Sequence, residues 1–221
     1  VGIPTMSRVV RHLSAGLEVR TERRIAELHP NGDGVELVDV DGTPAGTFAA
    51  VAVAIPAPQA AGLLAPALPE LATALERVRM APCWAAMVEL AEPAGVDFDA
   101  AEIADGALRW LSNDGSKPGR SGRTWVAHAS PEFSRQHLEA SPEQVGDRLA
   151  DEVRRWLNRA AIADLRVHRW RYALCEQPLG RSHIFEPASG VGIAGDWCIG
   201  GRIEAAYDSG RALGEALANR R

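Results

Sequence analysis

Several familiar residue patterns are missing from this chain of 221 residues. Its three cysteines, Cys83, Cys175 and Cys198, are odd in number, lie far apart and form no CxxC pair. The sequence therefore indicates neither a disulfide framework nor a cysteine-bound zinc ion. This sparse use of cysteine predicts a reducing compartment, and we expect a cytoplasmic protein. No run approaches the roughly 18 uninterrupted apolar residues that a membrane-spanning helix needs, so we expect no membrane partner.

The chain also lacks an excess of basic residues and any metal or hydrolase motif. Its formal net charge is -5 and its arginines are scattered among acids. This argues against a nucleic-acid partner, because phosphate recognition needs a basic face. No two histidines stand four apart and there is no HExxH motif, so we expect no metal site. No serine lies in a nucleophile-elbow context, which disfavours hydrolysis. The six histidines are His12, His29, His128, His137, His168 and His183.

What remains is the ordinary composition of a globular protein, with 46% apolar and 24% charged residues. The length suits one large domain or two modest ones. The chain opens Val1-Gly2-Ile3-Pro4-Thr5, with neither an initiator methionine nor a signal-like segment. We therefore interpret it as an excerpt of a longer sequence.

The apolar periodicity and the turn residues predict alternating sheet and helix segments. A helix is expected over residues 4–17 and a short strand over 17–20. Asn31-Gly32-Asp33-Gly34 between two apolar runs predicts a tight hairpin, and Ser141 before Pro142 predicts a capped helix. Further strands are expected over 24–28, 35–40, 51–55, 83–90, 107–112, 123–129 and 167–174, and helices over 57–64, 69–78 and 142–159.

The last thirty residues have the order of a ligand-binding segment. A short apolar strand over 191–194 leads into the turn Gly195-Asp196, a second flexible point at Gly200-Gly201, and a helix over 202–218. Glycines before a helix leave backbone N–H groups uncovered, so that an electron-rich ligand can approach the positive end of the helix dipole. The spacing alone is equally compatible with two plain turns before a terminal helix. Small residues four apart on this helix, Ala206, Gly210 and Gly214, predict close packing against another backbone.

This segment resembles the C-terminal FAD-binding motif of the flavin amine oxidases. The resemblance runs through Gly195-Asp196-Trp197, residues 200–206, and Ser209-Gly210. Within that superfamily, the rest of the chain is similar to the renalase-like branch of NAD/FAD-dependent oxidoreductases. That likeness is carried by residues 56–60, 82–85, 109–113, 125–130 and 168–173.

The resemblance implies FAD as the cofactor and gives roles by position. Asp196 would contact the ribityl and pyrophosphate part of FAD, and the backbone of Arg202 and Ile203 would face the pyrimidine edge of the isoalloxazine ring. Val19 belongs to the segment that, in this superfamily, returns to the adenine side. The residues implied to bind the cofactor are Val19, Gly195, Asp196, Gly201, Arg202 and Ile203.

The chain departs from the family in one large respect. The N-terminal βαβ unit with GxGxxG, which holds the pyrophosphate in the family, is absent. The glycines at 32 and 34 do not replace it, because they belong to the predicted hairpin turn. We therefore expect this chain by itself to bind FAD weakly or not at all.

The fold class that follows is α/β plus α+β. Residues 1–56 and 187–221 are expected to be parts of an incomplete FAD-binding, Rossmann-type domain. Residues 57–186 are expected to form an inserted substrate domain with an antiparallel sheet. The active site is expected between the two.

Four residues are candidates for the substrate site. Large aromatic side chains usually anchor a core, but Trp84 and Trp170 fall on predicted strands of the substrate domain and are expected to line a pocket. His128 and Arg169 are candidates for orienting a polar substrate, with a structural hydrogen-bonding role as the alternative for each. No further catalytic group is required, since in flavin oxidation the cofactor accepts the hydride.

The resemblance implies hydride transfer from a small-molecule substrate to FAD, with reoxidation by oxygen. The substrate would be a dihydronicotinamide-type molecule or an amine. Two alternatives remain open at this point. The chain could be a non-catalytic fragment or binding module without flavin, or it could belong to an oxidase of ordinary amines, and the oligomeric state is open in each case.

Overall fold

The computed structural model describes residues 2–3, 5–120 and 122–220 and divides the chain into two compact units. The first unit comprises Val1–Val19 and Ala81–Ala173, and the second comprises Arg20–Met80 and Leu174–Arg221. These divisions differ from the predicted domain boundaries at 56/57 and 186/187. The reason is that the two helices after residue 56 bury apolar side chains in the core of the second unit.

Helices and strands alternate along the chain as the sequence predicts. The helices are α1 (Ser7–Leu13), α2 (Ala57–Leu64), α3 (Pro69–Leu75), α4 (Pro131–Gln136), α5 (Pro142–Trp156) and α6 (Ile203–Ala218). The strands are β1 (Ile25–Asn31), β2 (Gly34–Asp39), β3 (Pro44–Phe48), β4 (Val51–Val53), β5 (Arg79–Leu90), β6 (Ala100–Glu102), β7 (Leu108–Asn113), β8 (Thr124–Ala129), β9 (Ile162–Gln177), β10 (Ile184–Glu186) and β11 (Val191–Ile193). Short 3-10 helices cover Asp114–Ser116 and Asp196–Cys198.

The first unit is built on a five-stranded sheet in the order β6-β7-β8-β5-β9. The pairs β6–β7, β7–β8 and β8–β5 are antiparallel. Helix α5 buries Val145, Leu149 and Val153, four residues apart and hence on one face, in the core of this unit. The predicted cap of α5 is confirmed, since Ser141 and Gln144 form a reciprocal capping box.

The second unit contains two small sheets. Strands β1, β2 and β3 form an antiparallel meander, and its first hairpin is the predicted one, because Asn31 pairs with Gly34 across a two-residue turn. In the other sheet, in the order β10-β11-β4, strands β11 and β4 are parallel. Helices α2 and α3 pack with this sheet in a core that includes Val53, Leu64 and Ile193.

Two local predictions near the start of the chain differ from the structure. The first helix is shorter than the predicted 4–17, and Pro4 lies outside the described residues. Residues 17–20 form no strand, and Leu17 and Val19 are exposed. An alternating apolar pattern forms a strand only where another strand pairs with it, and no described strand pairs with these residues.

The predicted packing of the small residues on α6 is also corrected. Ala206, Gly210 and Gly214 are exposed, and a Cβ added at either glycine would meet open space. The buried face of α6 lies one residue earlier, at Ala205, Ser209 and Leu213. Leu213 lies against Gly192 of β11, where the glycine leaves the room that the leucine occupies.

Candidate functional site

The segment between β11 and α6 follows the predicted strand, turn and helix order. Gly195 has φ 166° and ψ 167°, an extended backbone that any residue can adopt. Its lack of a side chain has a packing reason instead, because a Cβ would overlap the indole of Trp197. Trp197 is buried, and its Nε1–H donates to the carbonyl oxygen of Ile55 at 3.1 Å. The Gly-Asp-Trp sequence thus anchors the segment to the core of the second unit.

Ser209 is the residue of this segment that sequence reasoning missed. Its side chain is fully buried on α6. The Oγ accepts the backbone N–H of Gly195 at 2.9 Å and donates to the carbonyl oxygen of Ser182 at 2.6 Å. The N–H of Gly195 is therefore already paired within the protein. The resemblance includes Ser209 in the motif but gives it no role. Leu213 lies four residues later, so the sequence could have indicated that both side chains are on the same, buried face of the helix.

Asp196 carries the carboxylate of the segment. It is half-buried, and its carboxylate accepts no hydrogen bond from any residue that the structure describes. Its charge acts on a neighbouring thiol. Burial and then the negative charge of Asp196 raise the pKa of Cys175. Asp196 is thus a partly exposed acceptor with unused hydrogen-bonding capacity.

The N-terminus of α6 is open in the same segment. Arg202 is the N-cap residue with an extended backbone, and no described side chain caps the helix. A Cβ at Gly200 would meet open space, and Ile203 is 61% exposed. At Gly201 a Cβ would lie 3.3 Å from the side chain of Leu174, so this glycine allows a close internal contact. The first N–H groups of α6 therefore face an accessible surface.

Five of the six residues implied to bind the cofactor lie together in this segment of the second unit, from Gly195 to Ile203. The sixth, Val19, belongs to the first unit and is 65% exposed. It lies in no strand.

Among the candidate substrate residues, Trp84 lies in the core of the first unit and the partly exposed Arg169 lies beside it. Trp84 is 1% exposed, and its Nε1–H donates to the carbonyl oxygen of His137 at 3.0 Å. The guanidinium of Arg169 lies 5.6 Å from the centre of the Trp84 ring and binds the backbone of Leu138 and the carboxylate of Glu139. Trp84 therefore lines no open surface, and the prediction that it lines a pocket is wrong.

His128 and Trp170 are both exposed. Trp170 is 55% exposed and stacks edge-on with His168, with ring centres 4.3 Å apart. His128 lies directly opposite Trp110 on the neighbouring strand. Partial burial and then the positive charge of Lys117 lower the pKa of His128, which favours the neutral imidazole. Sequence reasoning did not select Trp110, and the strand register that pairs it with His128 is what brings it into the site.

A groove of about 660 Å³ runs along β4 in the second unit. Strand β4 is at the edge of its sheet, with β11 on one side. The groove is lined mostly by apolar side chains, among them Leu28, Leu37, Val51, Val53, Ile55 and Leu63. It combines a free strand edge with an apolar wall.

One family model matches nearly the whole chain. The family model of the flavin containing amine oxidoreductases matches residues 2–216. The chain belongs to this family. Its membership implies FAD as the cofactor.

Two solved structures have the same fold over most of this chain. Cyclohexylamine oxidase from Brevibacterium oxydans IH-35A matches with a TM-score of 0.67 and 15% identity, over 89% of this chain and 48% of that one. A proposed protoporphyrinogen oxidase from Exiguobacterium sp. 255-15 matches with a TM-score of 0.71 and 15% identity, over 96% of this chain and 51% of that one. The chain spans about half the length of both structures, and at this identity the likeness establishes the fold alone.

The residues between β11 and α6 fit one edge of FAD. The unused carboxylate of Asp196 can accept hydrogen bonds from hydroxyl groups, and the uncapped N-terminus of α6 can face an electron-rich ring. Gly190, Gly192 and Gly195 have the GxGxxG spacing, but residues 191–193 between them form strand β11, so they do not make the strand-to-helix turn that holds a pyrophosphate. The fit is therefore to a part of the cofactor.

The described residues contain no group of three or more histidine, cysteine or acidic side chains arranged to hold a metal ion. No described helix has both the length and the apolar character needed to cross a membrane.

Proposed function

We propose that this chain is part of an FAD-dependent oxidoreductase that oxidises a small molecule at a carbon–nitrogen unit. The observation that carries the proposal is the open segment from Asp196 to Ile203, in a chain that belongs to the flavin-containing amine oxidoreductases. When bound, FAD accepts a hydride from the substrate and is reoxidised by oxygen. The protein's own part is to hold the cofactor, orient the substrate and exclude competing reactions.

Asp196 and the start of α6 hold the flavin in this proposal. The carboxylate of Asp196 accepts hydrogen bonds from the hydroxyl groups of the ribityl chain. The backbone N–H groups after Arg202 meet the pyrimidine edge, where the helix dipole favours negative charge. Gly195 contributes indirectly, because its bond to Ser209 fixes the direction in which Asp196 leaves the strand.

The second unit supplies part of a Rossmann-type domain in this proposal. Ala52 of β4 lies between Val51, whose N–H donates to Gly190, and Val53, whose carbonyl accepts from Ala194. The N–H and C=O of Ala52 therefore point to the free edge of the sheet. We propose that a strand of a GxGxxG-containing unit in a longer polypeptide pairs with this edge and fills the apolar groove.

Hydrogen exchange tests the pairing. In the 221-residue chain the amide of Ala52 should exchange rapidly, while that of Val51 is protected by its bond to Gly190. In a polypeptide that also contains the GxGxxG unit, Ala52 should become protected by at least about tenfold. Unchanged exchange at Ala52 in the longer polypeptide would contradict the pairing.

Flavin content tests the proposed function itself. The longer polypeptide should be purified with flavin absorption or acquire it with FAD, and the 221-residue chain should bind FAD weakly or not at all. Asp196→Asn in the longer polypeptide should weaken FAD binding by about tenfold, because a hydrogen bond to a charged acceptor is lost. Asp208→Asn is the matched control, since Asp208 is exposed on α6. A longer polypeptide that never binds flavin would favour a non-catalytic binding module.

The substrate is proposed to be of the renalase-like, dihydronicotinamide type, with ordinary amines as the second candidate. The partly exposed, neutral His128 beside Lys117 favours a substrate without a positive charge. Bleaching of the flavin absorption by each substrate, measured without oxygen, separates the two. Bleaching by simple amines alone would overturn the renalase-like choice.

A further inference from the structure

On the face of the five-stranded sheet that carries His128, three side chains form a row across neighbouring strands. Trp110 on β7, His128 on β8 and Ala85 on β5 are directly opposite one another across three strands. Successive residues of a strand alternate between faces, so this row lies on the side away from Leu111, Ala127 and Ala86, which belong to the unit's interior. Two flat rings therefore stand beside a small alanine, and Trp110 is 38% exposed.

Strand β7 ends at Asn113, three residues after Trp110, and the loop that leaves it carries a cation. The loop that follows β7 begins with the 3-10 helix Asp114–Ser116, which contacts β8. Lys117 Nζ binds Asp114 Oδ1 at 2.7 Å, and Arg120 binds the same oxygen. The two hydrogen bonds hold the pKa of Asp114 below its ordinary value even though burial opposes this. The ammonium of Lys117 is thus fixed in place and 30% exposed.

The positive charge of Lys117 acts on His128. After partial burial, it is the cause that lowers the pKa of the imidazole. Asp114 Oδ1 is shared by two cations, Lys117 and Arg120, so this one carboxylate does not neutralise both. The same field that disfavours a proton on His128 disfavours a cationic ligand there.

The acidic residue on this row is already paired. Glu102 lies opposite Trp110 on the next strand, and its carboxylate binds Arg109 Nη2 at 2.6 Å. Beyond the row, Met87 and Val126 form the next pair on the same face and are apolar. The surface around Trp110 and His128 thus combines aromatic area with the fixed cation of Lys117.

We propose that this face is an anion-selective binding surface, in which Lys117 binds a carboxylate or phosphate group of a ligand whose flat ring lies against Trp110 and His128. Trp110 supplies stacking area and neutral His128 supplies one hydrogen bond. Asp114 positions Lys117. As the substrate site of the enzyme this assignment rests on the proposed function, but as a binding surface of the 221-residue chain it does not.

The chain offers a direct probe of this surface, because Lys117 is its only lysine. A sample with isotope-labelled lysine gives one side-chain NMR signal, without any assignment step. The ligands are benzoate as a flat anion, benzylammonium as a flat cation and benzyl alcohol as the neutral control. We expect benzoate to shift the Lys117 signal and the Trp110 indole signal, and to bind at least about fivefold more tightly than benzylammonium.

Variants test the charge of Lys117 and the aromatic surface of Trp110 separately. Lys117→Gln should weaken benzoate binding by at least about fivefold, and Lys117→Arg should retain it. Arg154→Gln is the matched control, because Arg154 binds Asp151 at the same i,i+3 spacing on an exposed helix, and it should change nothing. Trp110→Ala should weaken benzoate and benzyl alcohol alike.

Three results would overturn the proposal. The first is that benzoate does not bind detectably. The second is that benzylammonium binds as tightly as benzoate, through attraction to the Trp110 ring. The third is that Lys117→Gln leaves benzoate binding unchanged. All of these measurements are made on the chain without flavin. Failure of the longer polypeptide to bind FAD would therefore disprove the proposed function and leave this surface in place.

Discussion

At the scale of single residues, the segment before α6 depends on a buried hydroxyl. Ser209 connects the N–H of Gly195 with the carbonyl of Ser182, so one small side chain joins two loops of the second unit. The sequence predicted that Gly195 and Asp196 form a turn near a cofactor. It did not predict that the glycine accommodates Trp197 or that its N–H is already used, because both facts depend on neighbours brought in by the fold.

Replacing Ser209 by alanine should destabilise the chain. The backbone N–H of Gly195 would lose its acceptor, and leaving a buried donor unpaired costs about 1–3 kcal/mol. Urea unfolding should report this loss. Ser14→Ala serves as the control, since Ser14 is exposed at the end of α1, and its effect should stay within about 0.5 kcal/mol. A Ser209→Ala chain as stable as the parent would mean that the N–H is satisfied in another way.

A second residue-scale prediction concerns the thiol of Cys83. Burial raises its pKa from 9.0 to about 11, with a weaker opposing effect from a backbone hydrogen bond with Ala129. Above pH 9 the unfolded chain therefore releases a proton that the folded chain retains, so the free energy of unfolding should fall as the pH rises from 9 towards 11. Urea midpoints at pH 8, 9 and 10 measure the slope. In Cys83→Ser the slope should be shallower, and an equal slope would contradict the assignment.

At the scale of elements, local signals predicted the structure well. The hairpin at Asn31–Gly34 and the capped helix α5 depend on residues close in sequence, and both are present. The strand expected at 17–20 is absent because a strand needs a partner, which its own residues do not specify. The parallel pairing of β4 with β11 joins distant segments and has no local signature.

The packing of α6 on β11 gives a prediction at this scale. Gly192→Ala should destabilise the chain by about 1–3 kcal/mol, because the new methyl group would overlap the buried side chain of Leu213. Combining it with Leu213→Ala should cost less than the sum of the two single changes. Gly210→Ala on the same helix should instead stabilise the chain by about 0.5–1 kcal/mol, since its Cβ would point into open space. Additive effects of Gly192→Ala and Leu213→Ala would contradict the contact.

At the scale of the whole molecule, the chain has two core clusters that share no residue. The sequence predicted two regions and assigned α2 and α3 to the substrate domain, whereas their apolar side chains lie in the core cluster of the second unit. The apolar faces of these helices are compatible with either sheet, so sequence periodicity could not decide between the two. The sequence also could not show which tryptophans are exposed. Trp84 and Trp110 both fall on predicted strands, and only the way those strands pair shows that Trp84 is buried and Trp110 is partly exposed.

The two cores should respond separately to mutation. Leu64 and Leu149 are fully buried, one in each cluster, and either one changed to alanine should cost about 2–5 kcal/mol. Hydrogen exchange at two indole N–H groups reports on each core, Trp197 for the second unit and Trp84 for the first. Leu64→Ala should speed exchange at Trp197 and Leu149→Ala at Trp84. Equal acceleration of both indoles by either change would show that the cores unfold together.

The hydrogen bond from Trp197 to Ile55 has a consequence for how the chain is made. These residues are 142 positions apart, and ribosomes add about 5–20 residues per second. Strand β4 and helix α2 are therefore complete several seconds or more before the last segment, while strands β5 to β11 are being synthesised. During that interval the apolar side chains that pack against β11 and Trp197 lack these partners, so the nascent second unit is the part of this chain that a chaperone would need to protect.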